Sequence, residues 1–150
     1  MTKANSQESG HGLLCELARF RYRLRLFLRF SERAARQEGI TPQQHQLLLG
    51  VAGFTGEGSA TISELAEFLQ ERHNAVVGLV ERAVKRGLVT KRVIAWDHRF
   101  VRVQLTPRGE AILDRLSELH RKELARFQKQ ALASPQVRRR EIKKIAKGAT

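Results

Sequence analysis

The side chains best equipped for chemistry in this chain gather between Arg72 and Arg102, and they are hydrogen-bond donors and cations rather than nucleophiles. Arg72, His73, Asn74, Val77 and Gly78 stand close together, and Lys91, Arg92, Asp97, Arg99 and Arg102 follow. An asparagine amide matches the N6 and N7 atoms of adenine, a valine packs on a thymine methyl, and a guanidinium suits a guanine edge or a phosphate. The parts of a catalyst are missing: the sequence has no P-loop, no G-x-S-x-G and no carboxylate pair in an expected pocket. Glu64 and Glu67 read as residues on the solvent side of a helix. An enzyme is not expected. The histidines at 11, 45, 73, 98 and 120 form no H-x-x-x-H pair and no C-x-x-C accompanies them, so neither a metal site nor a cofactor is expected. His45 and His120 are placed to meet between the second and fifth helices.

Such residues need a scaffold that turns one helix outward. Ile62, Leu65, Ala66 and Leu69 recur at helical spacing, with Thr61 or Ser63 as the cap. Val76, Leu79, Val80 and Ala83 form the inner stripe of a second helix, which Gly87 ends. Branched residues then fill Leu88–Ile94 and Phe100–Leu105, where Val101, Val103 and Leu105 alternate with Arg102 and Gln104. Between these strands Ala95-Trp96-Asp97-His98-Arg99 reads as a polar tip with Asp97 as its turn residue. Two short helices and a basic two-stranded hairpin make a winged helix-turn-helix, which lays its second helix in a DNA major groove.

In that geometry Arg72, His73, Asn74, Val77 and Gly78 face the major groove, and Arg99 enters a narrow minor groove from the wing. Asp97 holds Arg99 or braces the hairpin, because a carboxylate repels phosphate. Lys91, Arg92 and Arg102 neutralise phosphates along the strands. Two readings compete with parts of this: Asn74 as a plain helix cap, and Trp96 either packed under the wing or lying on a sugar.

The run Asp97-His98-Arg99, then Val101, Val103, Leu105-Thr106 and Gly109, resembles the D-x-R … V-x-L-T-x-x-G signature of the MarR family of winged-helix transcriptional regulators. Ile40-Thr41-Pro42-Gln43-Gln44, Ser63-Glu64-Leu65-Ala66 and Leu79-Val80-Glu81-Arg82 … Arg86-Gly87-Leu88-Val89 extend the likeness over roughly Leu13 to Phe127. The resemblance implies a homodimer whose first and last helices interlock, and release from DNA by a small molecule lodged where those helices meet the DNA-binding lobe. Gly78 departs from the family pattern, which often has a longer polar residue there. Cys15 resembles the peroxide-sensing position of one branch of the family. That branch usually embraces the sulfur with tyrosines, whereas Tyr22 is the only tyrosine here, and a packed cysteine is the alternative.

Composition narrows the partners. A chain of 150 residues with 41% apolar content fits one domain, and folding at this size buries about 68–70% of the unfolded surface. The net charge of +13 calls for a polyanion, either nucleic acid or an anionic membrane surface. Arginines interrupt every apolar run before the ~20 residues a membrane span needs. Residues 1–12 lack the apolar centre of a secretory signal, and one cysteine fits a reducing cytoplasm.

In chain order, residues 1–12 read as a frayed start. From Leu13 to Gln37 the steps Leu13, Leu17, Phe20, Leu24, Phe27, Ser31 and Ala34 predict a helix, with extra apolar width at Leu14, Leu28 and Ala35 that asks for a two-fold mate. Arg19, Arg21, Arg23, Arg25 and Arg29 read either as a solvated face or as a nucleic-acid contact. Thr41-Pro42 with Gln44 opens the next helix by a capping box. Residues 53–59 read as a loop. Glu110–Ala133 is a long helix, opened by Thr106-Pro107, and a basic helix over Gln136–Lys147 closes the chain. The fold expected is mainly α with a small β-hairpin wing. Residues 13–38 and 110–147 supply dimerisation helices, through Leu13, Leu17, Phe20, Leu116, Leu119, Phe127, Ile142 and Ile145, and residues 41–109 form the DNA-binding lobe. The function expected is a homodimeric repressor on a pseudo-palindromic operator; a peroxide-sensing repressor and a low-specificity architectural DNA-binding protein are the alternatives.

Overall fold

The computed structural model describes residues 3–94 and 97–132. Helix α1 spans Lys3–Gln37 and α2 spans Pro42–Leu49, followed by a π-helical turn over Gly50–Phe54. Strand β1 (Ser59–Thr61) leads into α3 (Ile62–Leu69) and α4 (His73–Lys85). Strands β2 (Val89–Ile94) and β3 (Asp97–Leu105) precede α5 (Pro107–Leu132). Trp96, Ile142, Ile145 and the expected last helix lie outside the described residues, as do the side chains of Asp97 and Arg99.

The chain forms two compact units. One holds the residues up to Phe27 and those from Arg121 on, and within it the rings of Phe27 and Phe127 stand 5.9 Å apart. The other, Leu28–His120, contains the winged helix-turn-helix and its core. Leu47, Leu48, Val51, Leu65, Val76, Val80, Leu88 and Val103 are buried there, contributed by α2, the turn after it, α3, α4, the turn that follows α4 and the sheet.

Three boundaries differ from the sequence reading. Helix α1 starts at Lys3 rather than Leu13; Gly10 and Gly12 weaken a helix interior without blocking it, as proline would. The sheet has three strands in the order β1-β3-β2, because Ser59–Thr61 pairs antiparallel with Arg102–Gln104. Such a short strand next to glycines carries no alternation for a sequence reading to detect. The wing's second strand begins at Asp97, so Asp97 and Arg99 belong to a strand and not to the tip. Val93 faces Val101 but Ile94 faces Asp97, a register shift where continuation would give Phe100.

Leu116 is corrected as well. It was expected at a dimer seam, yet it is fully buried in the core of the Leu28–His120 unit beside Ile112 and Leu113. Its neighbour in sequence, Leu119, is exposed at 42%, and Leu13, Leu17 and Phe20 are about half exposed. One helical stripe on α5 therefore divides between the lobe's own core and an open surface. On α1 the arginines at 21, 25 and 29 are solvated, and those at 19 and 23 are half-buried.

His45 and His120 do meet, with ring centroids 5.0 Å apart, and Phe30 packs edge-on against His120. His45 is 1% exposed and its Nδ1 lies 3.5 Å from Ser31 Oγ. Removal from water, and then the charge of His120, push the His45 pKa down to about 4. An unfolded-chain histidine titrates near 6.5, so between those values the unfolded state binds more protons and stability rises with pH. The contribution of His45 is complete above pH ~6.5 and is lost on the way to pH ~4, amounting to about 3 kcal/mol. Urea midpoints at neutral and acidic pH should show this loss, and a His45→Gln variant should show less of it. Equal pH dependence in both proteins would rule His45 out as the source.

Candidate nucleic-acid interface

The local sequence explains how α4 comes to face outward. Thr61 caps α3 through a complete capping box: its hydroxyl accepts the Glu64 N–H at 3.2 Å, and Glu64 Oε2 accepts the Thr61 N–H at 2.7 Å. Glu64 is thus a cap partner and not an idle solvent-face residue. Gln70 ends α3 in the left-handed region with φ 53°, an uncommon conformation for a side chain with a Cβ. Its own amide donates to the Glu67 carbonyl at 2.7 Å, closing one of the free carbonyls at the helix end. The chain then reverses tightly into α4.

The N-cap of α4 is Arg72, which makes no side-chain cap, and the first turn contains no acidic residue. Among the described residues no side chain accepts from the first-turn N–H groups, which stand next to the cation of Arg72 and give the end of the helix a positive potential. Asn74 lies inside the helix and is not its cap. Val76, Leu79, Val80 and Ala83 face the core, while Arg72, His73, Asn74 and Val77 are exposed and Gly78 is half-buried. All five residues expected to read the major groove therefore lie at the start or on the outer side of one helix.

Two clefts flank α4. On the wing side, Thr61, Ile62, Ser63, His73, Val77, Val80, Glu81, Lys91 and Val101 line a space of about 320 Å³. On the other side, Gln43, Glu71, Asn74, Gly78 and Arg82 contribute to one of about 220 Å³. Arg82 was not among the residues expected at the interface, although its spacing of four from Gly78 and eight from Asn74 places all three on one face.

The wing's cations divide into two kinds. Arg92 is exposed, with no ion pair among the described residues. Lys91 pairs with Glu81 of α4, which ties the wing to the helix beside it. Arg102 is a strut: its Nε donates to Ser59 Oγ at 3.0 Å, and its Nη2 donates to Glu57 Oε2 at 2.6 Å and the Ser59 carbonyl at 3.3 Å. Both were expected to neutralise phosphate, but each already has a carboxylate partner. Arg86 and Arg108 also serve the scaffold, donating to the carbonyls of Gly39 at 2.6 Å and Arg86 at 3.2 Å.

The sheet base is bolted to α5. Gly87, with φ 68°, takes the left-handed conformation that ends α4 and turns the chain into β2. Thr106 N–H donates to the Leu88 carbonyl at 3.0 Å, and its hydroxyl donates to the Gly87 carbonyl at 2.6 Å. The same hydroxyl accepts the Gly109 N–H at 3.0 Å, which caps α5. Elsewhere, Cys15 is half-buried with Sγ 3.9 Å from Nε2 of His11. Among the described residues no group of three or more His, Cys, Asp or Glu could hold a metal, and no helix is long and apolar enough to cross a membrane.

Comparison with known proteins fits this geometry. Residues 38–99 match the model of the MarR family. The chain is 26% identical to a MarR family transcription regulator of known structure, covering 97% of this chain and 89% of that one with a TM-score of 0.71. It is 28% identical to the M. tuberculosis transcriptional regulator MOSR, solved in complex with DNA, covering 86% of this chain and 91% of that one with a TM-score of 0.58. AbsC from Streptomyces coelicolor, also a MarR family transcriptional regulator, shares the fold at 17% identity and a TM-score of 0.63, over 99% of this chain and 90% of its own. A comparison with curated proteins finds no match. The matched segment spans α2 to the start of β3, and over nearly its whole length the chain is similar in structure to MarR family transcription regulators.

Proposed function

We propose that this protein is a homodimeric, sequence-specific binder of double-stranded DNA that represses transcription from a pseudo-palindromic operator in the cytoplasm. The observation that carries the reading is the outer side of α4, where His73, Asn74 and Val77 are exposed beside Gly78 at a helix start free of acidic residues. Asn74 reads adenine, Val77 contacts a thymine methyl, and Arg72 takes a guanine edge or a phosphate. Arg92 contacts phosphate along the wing, and Arg99 reaches the minor groove from it. The exposed Leu13, Leu14, Leu17 and Phe20 of α1 and Leu124 of α5, all in one unit, support a second copy as the cover for their apolar side chains. Two α4 helices then enter successive major grooves about 34 Å apart. A small molecule that favours a misaligned pair of helices releases the DNA, and DNA weakens its binding by the same factor.

Selection from a pool of random duplexes by the purified protein tests this reading. The expected product is an inverted repeat with half-site centres roughly 10–10.5 base pairs apart. Equal binding to the selected duplex and to a scrambled one would replace this reading with that of an architectural DNA-binding protein.

A further inference from the structure

Glycine in the middle of an exposed helix costs stability relative to alanine, yet Gly78 sits at the centre of α4 with a φ that any residue adopts. Its use lies in the space it leaves. Long side chains on a helix lean back toward the N-terminus and cover the preceding turn. Arg82, one turn after Gly78, does this, and its Nη1 lies 3.3 Å from the point where a Cβ at position 78 would stand. The guanidinium thereby rests in the cleft that Gln43, Asn74, Gly78 and Arg82 help to line. Arg82 is exposed, and among the described residues no ion pair or hydrogen bond holds its guanidinium, although Glu71 lines the same cleft. Lys91 and Arg102 are held by Glu81 and Glu57, so Arg82 is a free cation beside the outer side of α4.

We propose that Arg82 is a DNA-contacting residue, delivered through the opening at Gly78 to a phosphate on the groove wall beside Gln43. The proposal rests on the reading of α4 as the DNA-binding helix and adds to it a contact and the residue that positions it. A side chain at position 78 would fill the cleft and push the guanidinium away from the helix start. Gly78 therefore exchanges helix stability for the reach of its neighbour.

A double-mutant cycle tests this on the full chain, with the duplex selected by the unmodified protein and a scrambled duplex as probes. Arg82→Ala should weaken binding to both duplexes on the order of tenfold and lower the salt slope by roughly one per subunit. Gly78→Gln should raise the urea midpoint, since glutamine is the better helix former, and still weaken DNA binding. In the Arg82→Ala background Gly78→Gln should have no further effect on binding. A Gly78→Gln loss that persists without Arg82 would overturn the positioning role. A loss confined to one base position of the selected duplex would overturn the phosphate assignment. Unchanged affinity and salt slope in Arg82→Ala, with the parent binding normally, would overturn the contact alone. If the parent binds neither duplex, the DNA-binding reading falls first and the proposal with it.

Discussion

Gly109→Ala is expected to destabilise the fold by about 4 kcal/mol and to lower the Tm by roughly 8–16 °C. A Cβ at this position would stand 2.1 Å from the Leu88 carbonyl oxygen and 3.2 Å from its carbon. The obstruction is backbone, so it cannot swing aside as a side-chain end would. Leu88 cannot retreat either: it is fully buried, its N–H donates to the Ala83 carbonyl at 3.0 Å, and its carbonyl accepts from Thr106. Relief of the clash must therefore draw α5 away from the junction of α4 and β2 and break the Thr106 hydrogen bonds. Overpacking alone costs about 1–3 kcal/mol, and each lost hydrogen bond adds roughly 1 kcal/mol. Gly53→Ala serves as control, because a Cβ there meets nothing within 4 Å and φ is not positive. Thermal melts of the two variants should separate widely. Melting of Gly109→Ala at the parent temperature would show that α5 does not approach Leu88 this closely.

Raising the salt from 50 to 200 mM is expected to weaken operator binding by about 10³–10⁴-fold. The net charge of +13 alone suggests a larger loss, but charge counts only where it reaches a phosphate. Lys91 and Arg102 are held by Glu81 and Glu57, and Arg86 and Arg108 are engaged with backbone carbonyls. The remaining candidates, Arg72, Arg82, Arg92 and Arg99, would amount to roughly 6–8 phosphate contacts in the proposed dimer and a log–log slope of about −5 to −7. Fluorescence anisotropy with the selected duplex at a series of salt concentrations measures this slope. A slope shallower than about −3 would mean that this group of cations is not the binding surface.

The same distinction explains what the sequence reveals and what it conceals. The helices were legible because their signals are local: Thr41-Pro42 with Gln44 forms the capping box that its spacing implies, and Thr61 is one of the two caps expected for α3, although its partner Glu64 reads in the sequence as a solvent-face residue. The outer residues of α4 followed from periodicity, since Val76, Leu79, Val80 and Ala83 fix which side is inside. The L-T-x-x-G run was recognisable as a signature, but its reason needed coordinates: Thr106 bonds to Gly87 and Leu88, and Gly109 makes room for Leu88. Partners distant in sequence stayed hidden. Nothing in the order of residues pairs Arg102 with Glu57 or Lys91 with Glu81, and the periodicity of α5 cannot tell a core leucine such as Leu116 from an exposed one such as Leu119. The Arg82 position was hidden for a different reason, because what matters there is the side chain that Gly78 lacks.

The strand order β1-β3-β2 also bears on how the protein behaves when concentrated. It leaves the outer side of β2 as an open row of backbone donors and acceptors, the kind of template on which chains stack into fibrils. Thr90, Lys91 and Arg92 are exposed on that strand, and the pairing goes out of step after Val93. Like charges brought face to face, on a ribbon that is not flat, discourage a neighbouring molecule from adding a strand. Replacing Lys91 and Arg92 with threonine should expose that hazard as turbidity on standing.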